Sequence, residues 1–179
     1  MRHLGRFIND GDLDTLLTQP KSVLVYAVGL RSQPSGFGDL ISGLIFIVWS
    51  RQVSWSMLPL VLAVIVASAI IFAACGIVFF SLAFWLGRVE TVALQLWELV
   101  ITFWLYPEPL FGGALRLLLF TVLPAGLVGY LPARIIHAPS LVTVSVLVAG
   151  AGVYLWLAVL LFERGMRRYA SGSRFSTFG

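Results

Sequence analysis

The stretch MLPLVLAVIVASAIIFAACGIVFFSLAFW, from Met57 to Trp85, contains 29 residues and no charged side chain. About 20 consecutive apolar residues are enough for a helix to cross the hydrocarbon core of a bilayer. The whole chain has 179 residues, of which 59% are hydrophobic and 11% are charged, and its mean hydropathy is +0.96. Soluble domains carry about a quarter charged residues. The sequence therefore predicts an all-α integral membrane protein.

Three further apolar stretches predict crossings of the membrane. Leu141–Phe162 is 22 residues long and uncharged. Gly36–Trp49 and Thr91–Tyr106 are shorter, and each contains one acidic residue, Asp39 in the first and Glu98 in the second. Together with the opening stretch, these segments predict four transmembrane helices, at about 34–50, 57–82, 88–106 and 141–162, within a transmembrane domain that covers 34–163.

An apolar but broken segment lies between the third and the fourth predicted helix. Tyr106 and Pro107 precede it, Arg116 lies inside it, and Pro124 interrupts it together with Gly112, Gly113 and Gly126. Irregular backbone at membrane depth is tolerated only where it packs on protein or lines a cavity. We therefore predict a re-entrant hairpin over about 109–133 rather than a fifth crossing.

The distribution of basic residues predicts the orientation. With four crossings, nine basic residues fall on one side of the membrane and three on the other. Basic loops stay on the cytoplasmic side. Both termini are therefore predicted in the cytoplasm, as a segment over 1–33 and a basic tail over 164–179. The three residues of the opposite side are Arg51, Arg116 and Arg134.

A short amphipathic helix is predicted near the start of the chain, in the stretch GDLDTLLTQP (Gly11–Pro20). Asp12 is a suitable N-cap, because its carboxylate accepts hydrogen bonds from the free N–H groups of the first turn. Leu13, Leu16 and Leu17 form one apolar stripe, and Pro20 ends the helix. Physical reasoning leaves two alternatives open, an interfacial helix that lies on lipid and a docking element for a cytoplasmic partner.

Four motifs together resemble one branch of the bacterial ABC-exporter permeases, in the type-2 permease superfamily. The first is the pattern Gly11-x-Leu13-Asp14-x-Leu16-Leu17-x-x-Pro20, which resembles the G-x-L-D-x-L-L-x-x-P signature of that branch. The others are FWLGRVE at Phe84–Glu90, the long segment Tyr106–Ala133 and the basic ending RGMRRYASGS at Arg164–Ser173. Their order and spacing match over nearly the whole chain.

The resemblance implies roles for two of these motifs. It assigns the docking of a separate cytoplasmic ATPase subunit to Gly11–Pro20, and it implies that Tyr106–Ala133 is a re-entrant hairpin near the outer face. The family normally has six spans, two of them before the signature, so this chain looks short at its N-terminus by about two spans. The resemblance also implies a second permease copy, or a related permease, as a partner.

Several kinds of chemistry are not expected. Lys21 is the only lysine and has no phosphate-binding loop around it, so ATP is expected to bind to the partner subunit and no cofactor to this chain. His3 and His137 have no partners at metal-ligand spacing, so we predict no metal site. No catalytic residues are predicted, and the chain is not expected to be an enzyme. The basic residues mark helix ends, so nucleic acid is not an expected partner.

Polar residues inside predicted helices are candidates for function. Glu98, with Gln95 one turn before it, lies in the middle of the third helix, where a charge usually faces a bundle interior or a cavity. A translocation path is one interpretation, and an interhelical hydrogen bond or a pair with Arg116 is the other. Asp39 is predicted to cap the first helix, and Glu108 is predicted to be solvated in the outer turn.

Small residues predict close helix packing, either within the chain or between subunits. They lie in the first helix and in the middle of the last, at Gly36, Gly38, Gly43 and 149–152. Cys75 is interpreted as a small core residue. The leading hypothesis is the permease subunit of an ABC exporter, which couples ATP hydrolysis on another chain to export by alternating access. The alternative is a membrane assembly or scaffold protein.

Overall fold

The computed structural model describes residues 35–51, 53–86 and 90–168. These residues form helices and no strand, which confirms the prediction of an all-α membrane protein. A π-helical turn covers Gly126–Tyr130, and short 3₁₀ turns cover Trp55–Met57 and Glu108–Leu110. The helices are α1 (Ser35–Trp49), α2 (Leu58–Ser81), α3 (Ala83–Leu86), α4 (Glu90–Leu105), α5 (Gly113–Thr121), α6 (Leu131–His137) and α7 (Leu141–Arg168).

Two helices of the described part are long and apolar enough to cross a membrane. They cover Trp55–Leu86, which contains α2, and Leu141–Arg167 in α7. At about 1.5 Å per residue, each exceeds the hydrocarbon thickness of about 30 Å. α1 and α4 are apolar but have only 15 and 16 residues. Their predicted ends at 34 and 88 lie outside the described residues, so the count of four crossings stays a prediction.

The first helix differs from its prediction in one respect. α1 begins at Ser35, so Asp39 lies beyond the first turn, where a carboxylate no longer meets free N–H groups. The prediction that Asp39 caps this helix is therefore wrong. Its backbone oxygen instead accepts a hydrogen bond of 3.0 Å from the Ser42 hydroxyl.

The predicted break between α4 and α7 is present. α5 and the helical segment Gly126–His137 are bent by 77° relative to each other. Pro124 is fully buried at the bend and has no N–H to donate to the preceding turn. The pair is long and apolar enough to be one broken span or a re-entrant loop. The re-entrant form over 109–133 stays a prediction.

The core lies between α2 and α7, which pack along each other, with the broken segment against both. Ile71 and Phe80 of α2 are fully buried, as is Ala158 of α7. Cys75 is also fully buried in this cluster, as its interpretation as a core residue requires. Apart from Ser81 and the hydroxyls of Tyr130 and Tyr154, the buried side chains of the described core are apolar, so packing holds the two long helices together.

The small residues fall into two groups, one that faces the core and one that faces outward. Gly150 faces inward, and a Cβ there would lie 3.0 Å from Leu127 of the π-helical turn, so this glycine allows close packing within the chain. Gly152 faces outward, with nothing within 4 Å of a Cβ in the described structure. The same holds for three glycines of α1, at positions 36, 38 and 43.

Candidate functional site

The predicted coupling segment cannot be placed. It falls in residues 1–34, outside the described residues, and its role stays a prediction. Its members are Gly11, Leu13, Asp14, Leu16, Leu17 and Pro20.

The predicted path residues lie on one face of α4. Gln95, Glu98 and Thr102 follow each other at i, i+3 and i+7, which places them on the same side of a helix, and all three are exposed. The opposite side carries Trp97 and Val100, which are buried in the core. The Thr102 hydroxyl donates a hydrogen bond of 2.8 Å to the backbone oxygen of Glu98. The polar face of α4, defined as these three residues, therefore points away from the core of the chain.

Arg116 forms an ion pair with Glu108, which the sequence predicts to be solvated. Arg116 Nη2 lies 2.5 Å from Glu108 Oε1, and the Glu108 side chain is 27% exposed. Glu108 is therefore partly exposed and ion-paired, rather than free in solvent, and Arg116 pairs with it instead of with Glu98. The physical reason is proximity along the chain, because α5 starts directly after the turn that holds Glu108. The Arg116 side chain is 55% exposed, so the pair contributes at most about 1 kcal/mol.

Two tyrosines complete the hydrogen bonding of the broken region. In α4, the Phe103 carbonyl would bond to the N–H four residues later, but that residue is Pro107, which has none. This carbonyl accepts a bond of 3.3 Å from the Tyr106 N–H, and the Tyr130 hydroxyl donates to it as well. In the same way, the Tyr154 hydroxyl of α7 donates to the carbonyl of Thr121, the last residue of α5. Both hydroxyls therefore donate to carbonyls near helix ends, where the regular donor four residues later is missing.

Sequence reasoning did not identify these tyrosines. Tyr130 and Tyr154 are 9% and 7% exposed. A buried tyrosine hydroxyl usually has a hydrogen-bond partner. Each tyrosine lies in an apolar run, and the prolines of this region leave backbone carbonyls without their usual N–H donor. The combination of a buried tyrosine and such prolines was a signal in the sequence. The bonded partner could not be read from it, because Tyr154 and Thr121 are 33 residues apart.

A cleft opens where α4 ends and the broken segment passes it. Its volume is about 360 Å³. Gly129 lets the two elements approach, because a Cβ there would lie 3.0 Å from the Trp104 Cβ and 3.3 Å from the Trp104 backbone oxygen. The lining residues are Trp104, Leu105, Tyr106, Pro107, Glu108, Gly129, Tyr130 and Ala133. Of the predicted hairpin residues, the structure thus brings Tyr106 and Pro107 to the cleft and Arg116 beside it, while Pro124 lies at the bend.

The described helices, their apolar surfaces and the broken segment define the class of a helical membrane protein. Residues 1–173 match the family of ABC-2 family transporter proteins. Because the match covers almost the whole sequence, the chain belongs to this family, and the resemblance to type-2 permeases is confirmed. The family assigns it the role of a transporter membrane subunit, rather than an enzyme, and implies association with an ABC ATPase in general terms. No curated protein and no solved structure matches the chain.

Proposed function

We propose that this protein is the permease subunit of a bacterial ABC exporter. It would convert ATP hydrolysis on a separate cytoplasmic ATPase into export of a substrate by alternating access. Two permease copies, or this chain and a related permease, would form the path in the inner membrane, with both termini in the cytoplasm. Membership of the ABC-2 transporter family supports this proposal, as does the excess of basic residues predicted on one side.

The observation that carries the proposal is the outward orientation of the polar face of α4. Gln95 and Glu98 are exposed in the middle of a mostly apolar helix. A carboxylate inside a membrane-spanning helix usually faces another protein element or a water-filled cavity. A second permease that faces α4 would enclose this surface. The polar face would then line a path between the two subunits.

The coupling role of Gly11–Pro20 rests on the sequence pattern and the family resemblance. A soluble ATPase can act on a membrane protein only through an element that extends into the cytoplasm. Leu13, Leu16 and Leu17 would fill a groove on the ATPase, as amphipathic helices do in other complexes. Asp14 would lie at the rim of the contact, where a charge determines orientation more than affinity.

Replacement of Leu16 and Leu17 by Ala tests the coupling role. Burial of two leucines contributes roughly 3–6 kcal/mol at most, which is enough to dissociate a modest subunit contact. We expect the double variant to remain in the membrane but to lose co-purification with a co-expressed cognate ATPase. The matched control replaces Leu141 and Val142, two exposed apolar residues at the start of α7, by Ala. This control should retain the ATPase.

The same experiment separates the transporter from the scaffold alternative. If the leucines bind only to lipid, the Leu16/Leu17 variant will co-purify with the ATPase at the yield of the unmodified protein. That result would exclude the segment as the docking element. If no ABC ATPase co-purifies even with the unmodified protein, the exporter proposal itself is overturned.

A further inference from the structure

The cleft at the end of α4 combines three features that attract a positively charged group. Trp104 and Tyr106 contribute aromatic side chains to its lining, whereas the ring of Tyr130 is 9% exposed and packs against Phe111. Glu108 contributes a carboxylate to the same lining. The cleft also lies at the C-terminus of α4, and the carbonyl end of a helix carries a partial negative charge. Each feature is modest by itself, but all three favour the same sign of charge.

An ammonium group fits this combination better than a metal ion does. Aromatic faces attract organic ammonium ions through their quadrupole, and sites for quaternary ammonium groups are built from such residues. A hard metal ion would require several oxygen ligands, whereas Glu108 is the only acidic residue that lines the cleft. The volume of about 360 Å³ is near the lower end of ligand pockets. It accommodates a small head group rather than a peptide.

A second, opposite charge lies immediately beside the cleft. The Arg116 guanidinium is 2.5 Å from the Glu108 carboxylate and is 55% exposed, so part of its surface remains open to a ligand. Arginine binds phosphate oxygens through its planar set of donors. An adjacent carboxylate and guanidinium therefore match a molecule that carries an ammonium group and a phosphate a few atoms apart.

The surroundings of the cleft indicate where such a molecule comes from. Leu105 lines the cleft and is 73% exposed, and Leu110 in the following turn is 67% exposed. α4 is an apolar helix, so its end is expected near the level of the lipid head groups. Exposed leucines beside a polar cleft at that depth can contact acyl chains while the cleft holds the polar end of the same lipid.

We propose that this cleft binds the head group of a zwitterionic phospholipid, with the ammonium group between Trp104, Tyr106 and Glu108 and the phosphate group at Arg116. The site requires neither an ATPase nor transport. It is therefore independent of the exporter proposal, and either can fail without the other. A dissolved amine would share the ammonium chemistry, and the experiment below distinguishes it from a lipid.

Native mass spectrometry of the purified full chain tests the site directly. The probes are phosphatidylethanolamine and phosphatidylglycerol with identical acyl chains, since both carry phosphate and only the first carries an ammonium group. We expect the unmodified protein to prefer phosphatidylethanolamine, and Glu108→Gln to reduce that binding about tenfold with little change for phosphatidylglycerol. Arg116→Gln should weaken the binding of both lipids. The matched control, Glu163→Gln, removes an exposed acid of α7 and should change neither.

Further measurements keep the test decisive if Glu108→Gln folds poorly. Tyr106 is 53% exposed, so Tyr106→Leu should fold normally and still lower phosphatidylethanolamine binding several-fold. Free ethanolamine at millimolar concentration should not displace the bound lipid, and displacement by it would overturn the assignment to a lipid. Equal binding of the two lipids by the unmodified protein, or an unchanged preference in folded Glu108→Gln and Tyr106→Leu, would overturn the site itself.

Discussion

The pair of long helices and the region around the broken segment must both satisfy their backbone hydrogen bonds inside the membrane, and they do so in different ways. α2 runs unbroken for 24 residues, so its backbone bonds are made within the helix, and it meets α7 through buried apolar side chains such as Phe80. The second region contains Pro107 and Pro124, and its helices end early. There, tyrosine hydroxyls of other elements donate hydrogen bonds to carbonyls near the helix ends. A broken helix in an apolar surrounding thus depends on tertiary partners, whereas an unbroken one does not.

The largest effect on stability is expected inside the second region, where the π-helical turn approaches α4 at a glycine. Gly129→Leu would place a side chain against the Trp104 backbone, which cannot move aside as a flexible side chain can. Overpacking of this kind costs typically 1–3 kcal/mol and occasionally more, so we expect a destabilisation of about 3 kcal/mol. Reversible unfolding in detergent, followed by circular dichroism, measures it.

The matched control for this variant is Gly152→Leu. Gly152 lies in α7, and a Cβ there meets nothing within 4 Å among the described residues. Its variant should unfold within about 0.5 kcal/mol of the unmodified protein. Equal loss of stability in both variants would show that the close approach of Gly129 to α4 is not what limits packing.

An intermediate effect is expected from the tyrosine hydroxyls that donate to carbonyls near the helix ends. Tyr154→Phe and Tyr130→Phe each remove one donor to a part-buried carbonyl, at a cost of about 1–3 kcal/mol. The Tyr130 variant should lose less, because the Phe103 carbonyl keeps its bond from the Tyr106 N–H. Tyr106→Phe serves as the control, because Tyr106 is 53% exposed and should tolerate the change. Thermal unfolding of the three variants in one detergent ranks them. A stability unchanged in Tyr154→Phe would contradict the contrast between the two regions.

The smallest effect on stability, with the largest on activity, is expected at the polar face of α4. Glu98→Gln keeps the shape of an exposed side chain, so the free energy of unfolding should change by less than about 0.5 kcal/mol. If the face lines the path, ATP hydrolysis by the complex reconstituted with its ATPase should become several-fold less responsive to the membrane subunit, while co-purification is retained. A large loss of stability with normal activity would instead make Glu98 a structural residue.

Local composition predicted the long helices well. Met57–Trp85 and Leu141–Phe162 are uncharged and exceed the length of a crossing, and both form the long helices of the structure. Partition into hydrocarbon depends on the residues of the segment itself, so it can be read without knowledge of the partners. The break near Pro124 was predicted for a similar reason, because a missing N–H is a property of the residue.

The rotation of each helix could not be predicted in the same way. Glu98 lies in the middle of an apolar run, and a position inside the bundle of the chain was a reasonable expectation. The structure turns it outward because Trp97 and Val100 pack into the core instead. Which face is buried depends on the shape of the neighbouring helices, and a run that is apolar almost all round does not encode that choice.

By itself, the sequence determined the class of the protein, its long apolar helices and the place where the membrane segment breaks. Only the tertiary structure decided which groups meet at that break. It brings Tyr154 to Thr121 across 33 residues, pairs Arg116 with Glu108, and forms the cleft beside them. The physical reason is the range of the interactions. Hydropathy and a missing N–H act within a segment, whereas hydrogen bonds and ion pairs require atoms within about 3–4 Å of each other, and only folding brings distant residues that close.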